Sequence, residues 1–375
     1  MITISGSNSY CPNPNPNPVP NVTVNLTGDA TASTLTDGSG NYTFSSLPSG
    51  GTYTVTLTKT ALTPGSSGID TVDAIASQRH YLQIGTPLSG CPLAAGDVNG
   101  DATVNTADVV AIQRFFLGAS SGTANAGKYK FIPASRTYAG VISNQTGQNY
   151  DTMVFGDVIS TFAEHPEGPS QGAAGDGSSV GDVLSKVATV ALPNVAVDTS
   201  MTNFNAGVKA STIDGQDKLI GFQGDVTFDS TVITFESEPV HKAGLTSGNW
   251  NVTGNVLDGP GPIRTLRVSA FSNDFEPLSG SGTLFELRMI RVGKAAQVTQ
   301  LFWAAPPDHF YFIDADLNRH KPGYTAPGSV TPSWEDKTRK QHFDASDGLI
   351  SSDGNAPSDQ EGEIIPDEDP VDEGP

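Results

Sequence analysis

The chain has 375 residues, of which 41 are Gly and 26 are Pro, with 36% apolar and only 16% charged residues. That length points to two or three domains, and the mix disfavours helical bundles and suits short strands joined by many turns. A net charge of −20 excludes nucleic acid as a partner, because phosphate binding needs a basic surface. No apolar run approaches the roughly 18 residues of a membrane span. The segment Met1-Ile2-Thr3-Ile4-Ser5-Gly6 has neither a basic nor an apolar signal region, so any export signal is expected to have been removed from this numbering or never to have been present.

In chain order, residues 2–58 alternate at period two: Ile2 and Ile4, then Val22, Val24 and Leu26, then Tyr42 and Phe44, then Tyr53, Val55 and Leu57. These are half-buried strands, with turns at Asp37-Gly38 and Pro48-Ser49-Gly50-Gly51. Alternating prolines between Cys11 and Pro18 cannot pair in a ladder and predict an extended rod or loop. Cys11 and Cys91 are too few for a disulfide scaffold or a zinc site. In a chain of this composition they read as one disulfide of a secreted protein, with two free thiols as the alternative. Residues 38–55, ending Tyr53-Thr54-Val55, resemble the closing hairpin of collagen-adhesin B-type and carboxypeptidase-regulatory-like (prealbumin-like) modules. The resemblance implies a small β-sandwich over 1–60, of the kind used as stalks and spacers in secreted bacterial proteins. Some of those modules form an internal Lys–Asn bond assisted by a Glu. Here the first Lys is Lys59 and the first Glu is Glu164, so that crosslink is not expected.

An internal repeat follows. Residues 70–82 match 105–117 at an offset of 35, with six of thirteen positions identical, among them Thr71/Thr106, Gln78/Gln113 and Arg79/Arg114. Each copy predicts a helix, with Gly85 and Gly118 placed to end them. Before the second copy lies Asp97-Val98-Asn99-Gly100-Asp101-Ala102-Thr103-Val104-Asn105-Thr106-Ala107-Asp108. Oxygen side chains fall at positions 1, 3, 5, 9 and 12 (Asp97, Asn99, Asp101, Asn105 and Asp108), and Thr103 at position 7 offers its carbonyl. That spacing wraps a loop around a hard cation, and Ca2+ fits better than Mg2+, which resists full dehydration. Ala102 stands where Gly normally takes the left-handed conformation, at a cost of roughly 1 kcal/mol. The alternative is an Asx-rich turn that caps a helix without metal. In the first copy, positions 1, 3 and 5 are Leu62, Pro64 and Ser66, so Asp70 and Asp73 read first as helix caps and only second as weaker ligand candidates.

The duplicated loop–helix pattern over 62–118 resembles a type I dockerin, and 129–158 resembles the extension found after such repeats in bacterial surface proteins. The helical calcium module with its extension is therefore expected over 61–163. By that resemblance, Thr106, Ala107, Gln113 and Arg114, with Thr71, Val72, Gln78 and Arg79 in the other copy, would touch a partner. The near-symmetry of the copies would let either face it. The alternative is that they are ordinary solvent-facing helix residues.

Residues 164–181, rich in Gly, Pro and Ser, predict a linker. From 182 to 354 strand patterns return at 187–190, 208–210, 220–228, 232–235, 265–270 and 283–290, arguing for a larger sandwich or jelly roll. The stretches Gly221-Phe222-Gln223-Gly224-Asp225-Val226 and Gly282-Thr283-Leu284-Phe285-Glu286-Leu287 resemble a cohesin, the jelly-roll partner of dockerins. Asp347-Gly348-Leu349-Ile350 would be its closing strand. The insertion 308–334 is longer and more polar than that pattern. Residues 344–375 hold eleven acids and no base, and 355–375 predict an acidic, disordered tail.

Smaller signals favour structure over chemistry. Asp314-Ala315-Asp316-Leu317-Asn318 reads as a turn before a metal loop, and Trp250 and Trp303 read as packing before sugar stacking. Glu236 and Glu238 alternate on one strand, the six His are scattered, and no catalytic constellation emerges. The expected molecule is mainly β and non-enzymatic. It is an extracellular or cell-surface, Ca2+-binding assembly protein that pairs head to tail with other copies of itself, or with dockerin- or cohesin-bearing proteins. A linker of that length spans roughly 20–25 Å as a flexible coil, so pairing within one chain is equally feasible. The rival is a scaffold or carbohydrate-binding accessory of a polysaccharide-degrading system, with a glycan as partner.

Overall fold

In the computed structural model of the chain, the described residues are 1–11, 18–159, 182–183, 187–198, 200–294, 297–305 and 310–333. The expected linker (164–181), the closing strand at 347–350 and the acidic tail (355–375) lie outside the described residues, as does most of the proline run. The fold is mostly β, as two β-sandwiches with a helical module between them.

The N-terminal strands are β1 (Ile2–Tyr10), β2 (Thr23–Gly28), β3 (Ala32–Leu35), β4 (Asn41–Leu47) and β5 (Gly51–Thr58). Their alternation is realised as burial: Ile2, Ile4, Val24, Leu26, Tyr42, Phe44, Tyr53 and Val55 all face one core. Three further strands, β6 (Tyr129–Ile132), β7 (Ser135–Val141) and β8 (Tyr150–Val154), come from beyond the helices. They complete two four-stranded sheets ordered β4-β1-β8-β6 and β3-β2-β5-β7. The pairing of β1 with β8 is parallel and that of β5 with β7 antiparallel. The sequence reading closes this sandwich at residue 60 and assigns 129–158 to the helical module. The difference arises because ladders between strands so far apart in the chain leave no local signature.

The helical module is thus inserted between β5 and β6. It consists of α1 (Thr71–Tyr81), α2 (Gly90–Gly96) and α3 (Thr106–Phe116). Asp70 caps α1, its side chain accepting from Val72 N while Asp73 accepts from Asp70 N, and Asn105 and Asp108 repeat the same reciprocal capping on α3. After α1 it is Gln83 (φ 58°), not Gly85, that first takes the left-handed turn, whereas Gly118 (φ 72°) does so after α3. Val72, Ile75, Ala76, Val109, Ile112 and Phe115 join the helices into the core of the first sandwich. Cys11 at the end of β1 and Cys91 in α2 form a disulfide, with Cα atoms 6.0 Å apart.

The second sandwich runs through β9 (Asp182–Val183), β10 (Thr189–Ala191), β11 (Asn194–Asp198), β12 (Asn203–Ile213), β13 (Leu219–Asp229), β14 (Ile233–Lys242), β15 (Trp250–Leu257), β16 (Ile263–Ser272), β17 (Gly280–Arg291), β18 (Thr299–Trp303), β19 (Tyr311–Asp314), β20 (Arg319–His320), β21 (Tyr324–Ala326) and β22 (Gly328–Ser333). One sheet is ordered β14-β17-β12-β10-β21. The other holds β13 at its centre, with β16 and then β15 laid along it. Phe222, Phe228, Phe285, Phe310 and Phe312 fill the space between them. Trp250 stacks on Phe222 (6.1 Å between centroids) and Trp303 tilts against Phe310 (4.8 Å), so both indoles are used in packing.

Candidate functional site

The sheet β13–β16–β15 turns a polar face outward. Gln223 on β13 stands opposite Ser269 on β16, and Asp225 stands opposite Arg267. Asn255 on β15 is the next neighbour of Arg267 in the same row. In an exposed sheet such residues would face water. Here Gln223, Asp225, Arg267 and Ser269 are buried, because α1 and α3 lie across them.

The contacts are hydrogen bonds in register with the helices. Thr71 donates its backbone N–H to Gln223 Oε1 (2.8 Å) and its hydroxyl to Ser269 Oγ (2.9 Å). Gln78 Nε2 donates to Ser272 O (3.2 Å), and Gln113 Nε2 donates to Ser269 Oγ (3.0 Å). Asn255 Nδ2 donates to Leu117 O at the end of α3 (2.8 Å). Arg267 is held bidentate by Asp225 and reaches with NH1 to Gly65 O (2.8 Å) and Phe116 O (3.2 Å), its guanidinium 4.8 Å from the Phe116 ring. A cation is favoured there because the last carbonyls of a helix carry partial negative charge. At the N-terminal end of α1, Asp70 Oδ2 accepts from Tyr311 Oη (2.8 Å) and pairs with Arg319 NH2 (2.7 Å). Ile75 is fully buried and seats on Gly221, where a Cβ would lie 2.6 Å from its Cδ1.

Of the residues expected to touch a partner, Thr71, Gln78 and Gln113 therefore meet this face, and Val72 is buried in the core between the helices. Thr106, Ala107 and Arg114 are exposed, and Arg114 Nε donates to Ser121 O (2.9 Å). Arg79 is half-buried, beside Gly85. Sequence reasoning missed the opposing set of Gln223, Asp225, Asn255, Arg267, Ser269, Tyr311 and Arg319. The only signal was polar side chains at period two along β13 and β16, the pattern of any solvated face.

The expected calcium loop runs from Asp97 to Asp108, ahead of and into α3. Ala102 adopts φ 70°, the left-handed turn anticipated at that position. Asp97 Oδ1 accepts from the N–H groups of Gly100 and Asp101 (2.9 and 3.1 Å), and its Oδ2 accepts from Ala102 N (3.0 Å). Asp108 Oδ1 accepts from Asn99 N (3.1 Å), tying the end of the loop to its beginning. Burial pushes the Asp108 carboxyl up, and the charges of Asp97 and Asp101 push it further. Hydrogen bonds from Thr103 and Asn99 hold the exposed Asp101 carboxyl low. Among the described residues no three His, Cys, Asp or Glu side chains converge closely enough to form a ready metal cluster. The donors are nonetheless oxygens throughout, which suits a hard cation, and Asn99 and Asn105 now turn their amide N–H groups to Asp101 Oδ2. In the first copy, Asp70 serves as cap and ion-pair partner. Asp73 accepts from Asp70 N at one oxygen and from Val158 and Ile159 N–H at the other (2.8 and 2.9 Å). Those oxygens are thereby used by protein donors.

Asp314 forms a turn, accepting from Asp316 N and Asn318 N (2.9 Å each) and from His320 Nε2 (2.7 Å). Glu236 and Glu238 both face Arg288. No helix among the described residues is long and apolar enough to cross a membrane.

Residues 13–81 match the carboxypeptidase regulatory-like domain family, a stretch that covers all of β2–β5 and runs to the end of α1. No curated protein matches the chain. Among solved structures, the chain is similar to a non-cellulosomal cohesin from the archaeon Archaeoglobus fulgidus, at 17% identity over 40% of this chain and 94% of that one, TM-score 0.30. It is also similar to a type I cohesin–dockerin complex from Clostridium thermocellum, at 14% identity over 39% of this chain and 99% of that one, TM-score 0.32. A cohesin module of a family 33 glycoside hydrolase from Clostridium perfringens is similar at 10% identity over 40% of this chain and 100% of that one, TM-score 0.30.

Proposed function

We propose that this chain is a non-enzymatic, extracellular, calcium-binding assembly protein. In it a dockerin-like helical module is the ligand of a cohesin-like sandwich, and copies of the chain are linked head to tail by that contact. The observation that carries the reading is the seating of Thr71, Gln78 and Gln113 on Gln223, Ser269 and Ser272. Helical positions singled out from the repeat as partner-facing meet a buried polar sheet face.

The contact lies within one chain, and exchanged between chains it would link them. Ile159 donates its N–H to Asp73, and Asp182 pairs with Arg319, which in turn holds Asp70, the cap that bonds with Asp73. Ile159 and Asp182 thus sit at one corner of the contact. A helical module that leaves its own sandwich for the next makes a heterologous contact, and such a contact repeated from chain to chain grows a filament unless it closes into a ring. Pairing within the chain has an effective concentration in the mM range, so linkage between chains grows at high local concentration. Ca2+ would be held by Asp97, Asn99, Asp101, the Thr103 carbonyl, Asn105 and Asp108. It would neutralise the three carboxylates and fix the start of α3.

Light scattering across protein concentration, with calcium or with chelator, tests the reading. The expected result is mass rising above the 39.0 kDa chain as concentration and calcium increase. A constant monomer at every concentration would overturn linkage between chains. It would leave a self-clamped subunit whose sandwich accepts a dockerin-bearing partner only by displacing its own helices.

A further inference from the structure

The repeat presents the second sandwich with two nearly equivalent ways to bind. A half-turn of the helical pair, carrying the first sandwich with it, would put α3 where α1 now lies. Thr106 and Gln113 would then replace Thr71 and Gln78, residue types shared by the two copies. The shared contacts do not choose between the orientations.

Three unlike positions do. Asp70, which pairs with Arg319 and accepts from Tyr311, is matched 35 residues on by Asn105. A turned module would leave the Arg319 cation facing a neutral amide in a largely desolvated place. Ile75, fully buried against the flat surface of Gly221, is matched by Val110, which is one carbon shorter and 45% exposed. A gap would open where the packing is now tight. Gly118 is matched by Gln83; a Cβ at Gly118 would already lie 2.9 Å from Leu257 Cδ2, so a side chain as long as Gln there would force Leu257 aside. We infer that the helical module docks in a single orientation, chosen by Asp70 with Arg319 and Tyr311, by Ile75 with Gly221, and by Gly118 with Leu257. The inference rests on the pairing of helical module and second sandwich proposed above, and it narrows the expectation that either copy could face a partner.

Spin-label distances in the full chain test it. Ile263 is 58% exposed at the start of β16, Ser120 follows Gly118, and Tyr81 follows Gln78, whose partner Ser272 ends the same strand. A strand of that length spans about 30 Å. The chain with Ser120→Cys and Ile263→Cys should give one short distance, and that with Tyr81→Cys and Ile263→Cys one long distance. Asp70→Asn, Gln83→Gly and Val110→Ile together make the copies alike at all three positions. In that background a short Tyr81–Ile263 population should appear, and Asp70→Asn alone should weaken docking about tenfold or more. Two populations in the unaltered chain, or a single one surviving in the triple variant, would overturn the inference. Broad distributions from both label pairs would mean that the modules are not paired, which overturns the pairing itself and the orientation with it.

Discussion

Asp225 holds Arg267 through two hydrogen bonds of 2.9 and 2.8 Å, with both side chains under 10% exposed beneath the C-terminal end of α3. The pair fixes the guanidinium so that its remaining arm reaches two carbonyls of the helical module, Gly65 O and Phe116 O. Neither the sandwich nor the helices alone would bury it.

Removing one partner of this pair should cost far more than removing both. Arg267→Ala leaves a buried carboxylate without its cation, a loss of about 3–5 kcal/mol. Adding Asp225→Ala to that variant should restore part of the loss, since no lone charge is then buried. Urea unfolding of the three variants reads the difference, and a loss under about 1 kcal/mol for Arg267→Ala would mean that the pair behaves as a solvated one.

Gly221→Val should open the docking contact while leaving both sandwiches folded. The added Cβ would lie 2.6 Å from Ile75 Cδ1, and the two methyl groups beyond it would press further on the helix; the 3.1 Å approach to Ala270 O asks the neighbouring strand to give by only a few tenths of an ångström. Hydrogen exchange is expected to speed up at Thr71 and Gln78 far more than at Val24 or Phe285. Unchanged protection at α1 would contradict the packing described for Ile75.

Ala102 sits at φ 70° in the loop that would hold calcium. The left-handed turn is in place before any ion binds, so Ala102→Gly should raise stability by about 1 kcal/mol with calcium and without it. Thermal unfolding checks the gain, and isothermal titration follows calcium itself. Asp97→Ala combined with Asp101→Ala should abolish the binding heat and the calcium-dependent rise in melting temperature.

Asp73 predicts a pH slope. Its burial, and then the neighbouring Asp70 charge, push the carboxyl up to about 8. The folded state therefore binds a proton that the unfolded chain has released above about pH 4, the ordinary aspartate value. This contribution to stability is full below that pH and is lost as pH rises towards 8. Asp73→Asn should start from lower stability, because its amide meets the Asp70 N–H, and should lack the slope. Denaturation midpoints at pH 5 and pH 8, compared with the parent chain, decide it.

Much of the fold could be read from local pattern. The alternation through Ile2, Val24, Phe44 and Val55 became a sandwich core, and the caps Asp70 and Asn105 start the two helices. Those features are encoded within a few residues. The partners of β1 and β5 are not, because β8 and β7 lie beyond an inserted module and only the finished sheet selects them. The docking face was illegible for a different reason. Gln223, Asp225, Arg267 and Ser269 follow the alternation of a strand with one wet side, and nothing in that pattern tells a water-covered face from a helix-covered one. Asp70 was legible as a cap, but its pairing with Arg319, some 250 positions away, was not.

The corner shared by Ile159, Asp73, Asp70, Arg319 and Asp182 has a mechanical consequence. A pull between the two sandwiches loads this corner, where the Asp70–Arg319 ion pair and the N–H groups held by Asp73 fix the start of α1. These bonds share one short stretch of backbone, so they give way together and not one at a time. None of them is covalent, and the contact can re-form when the load is released.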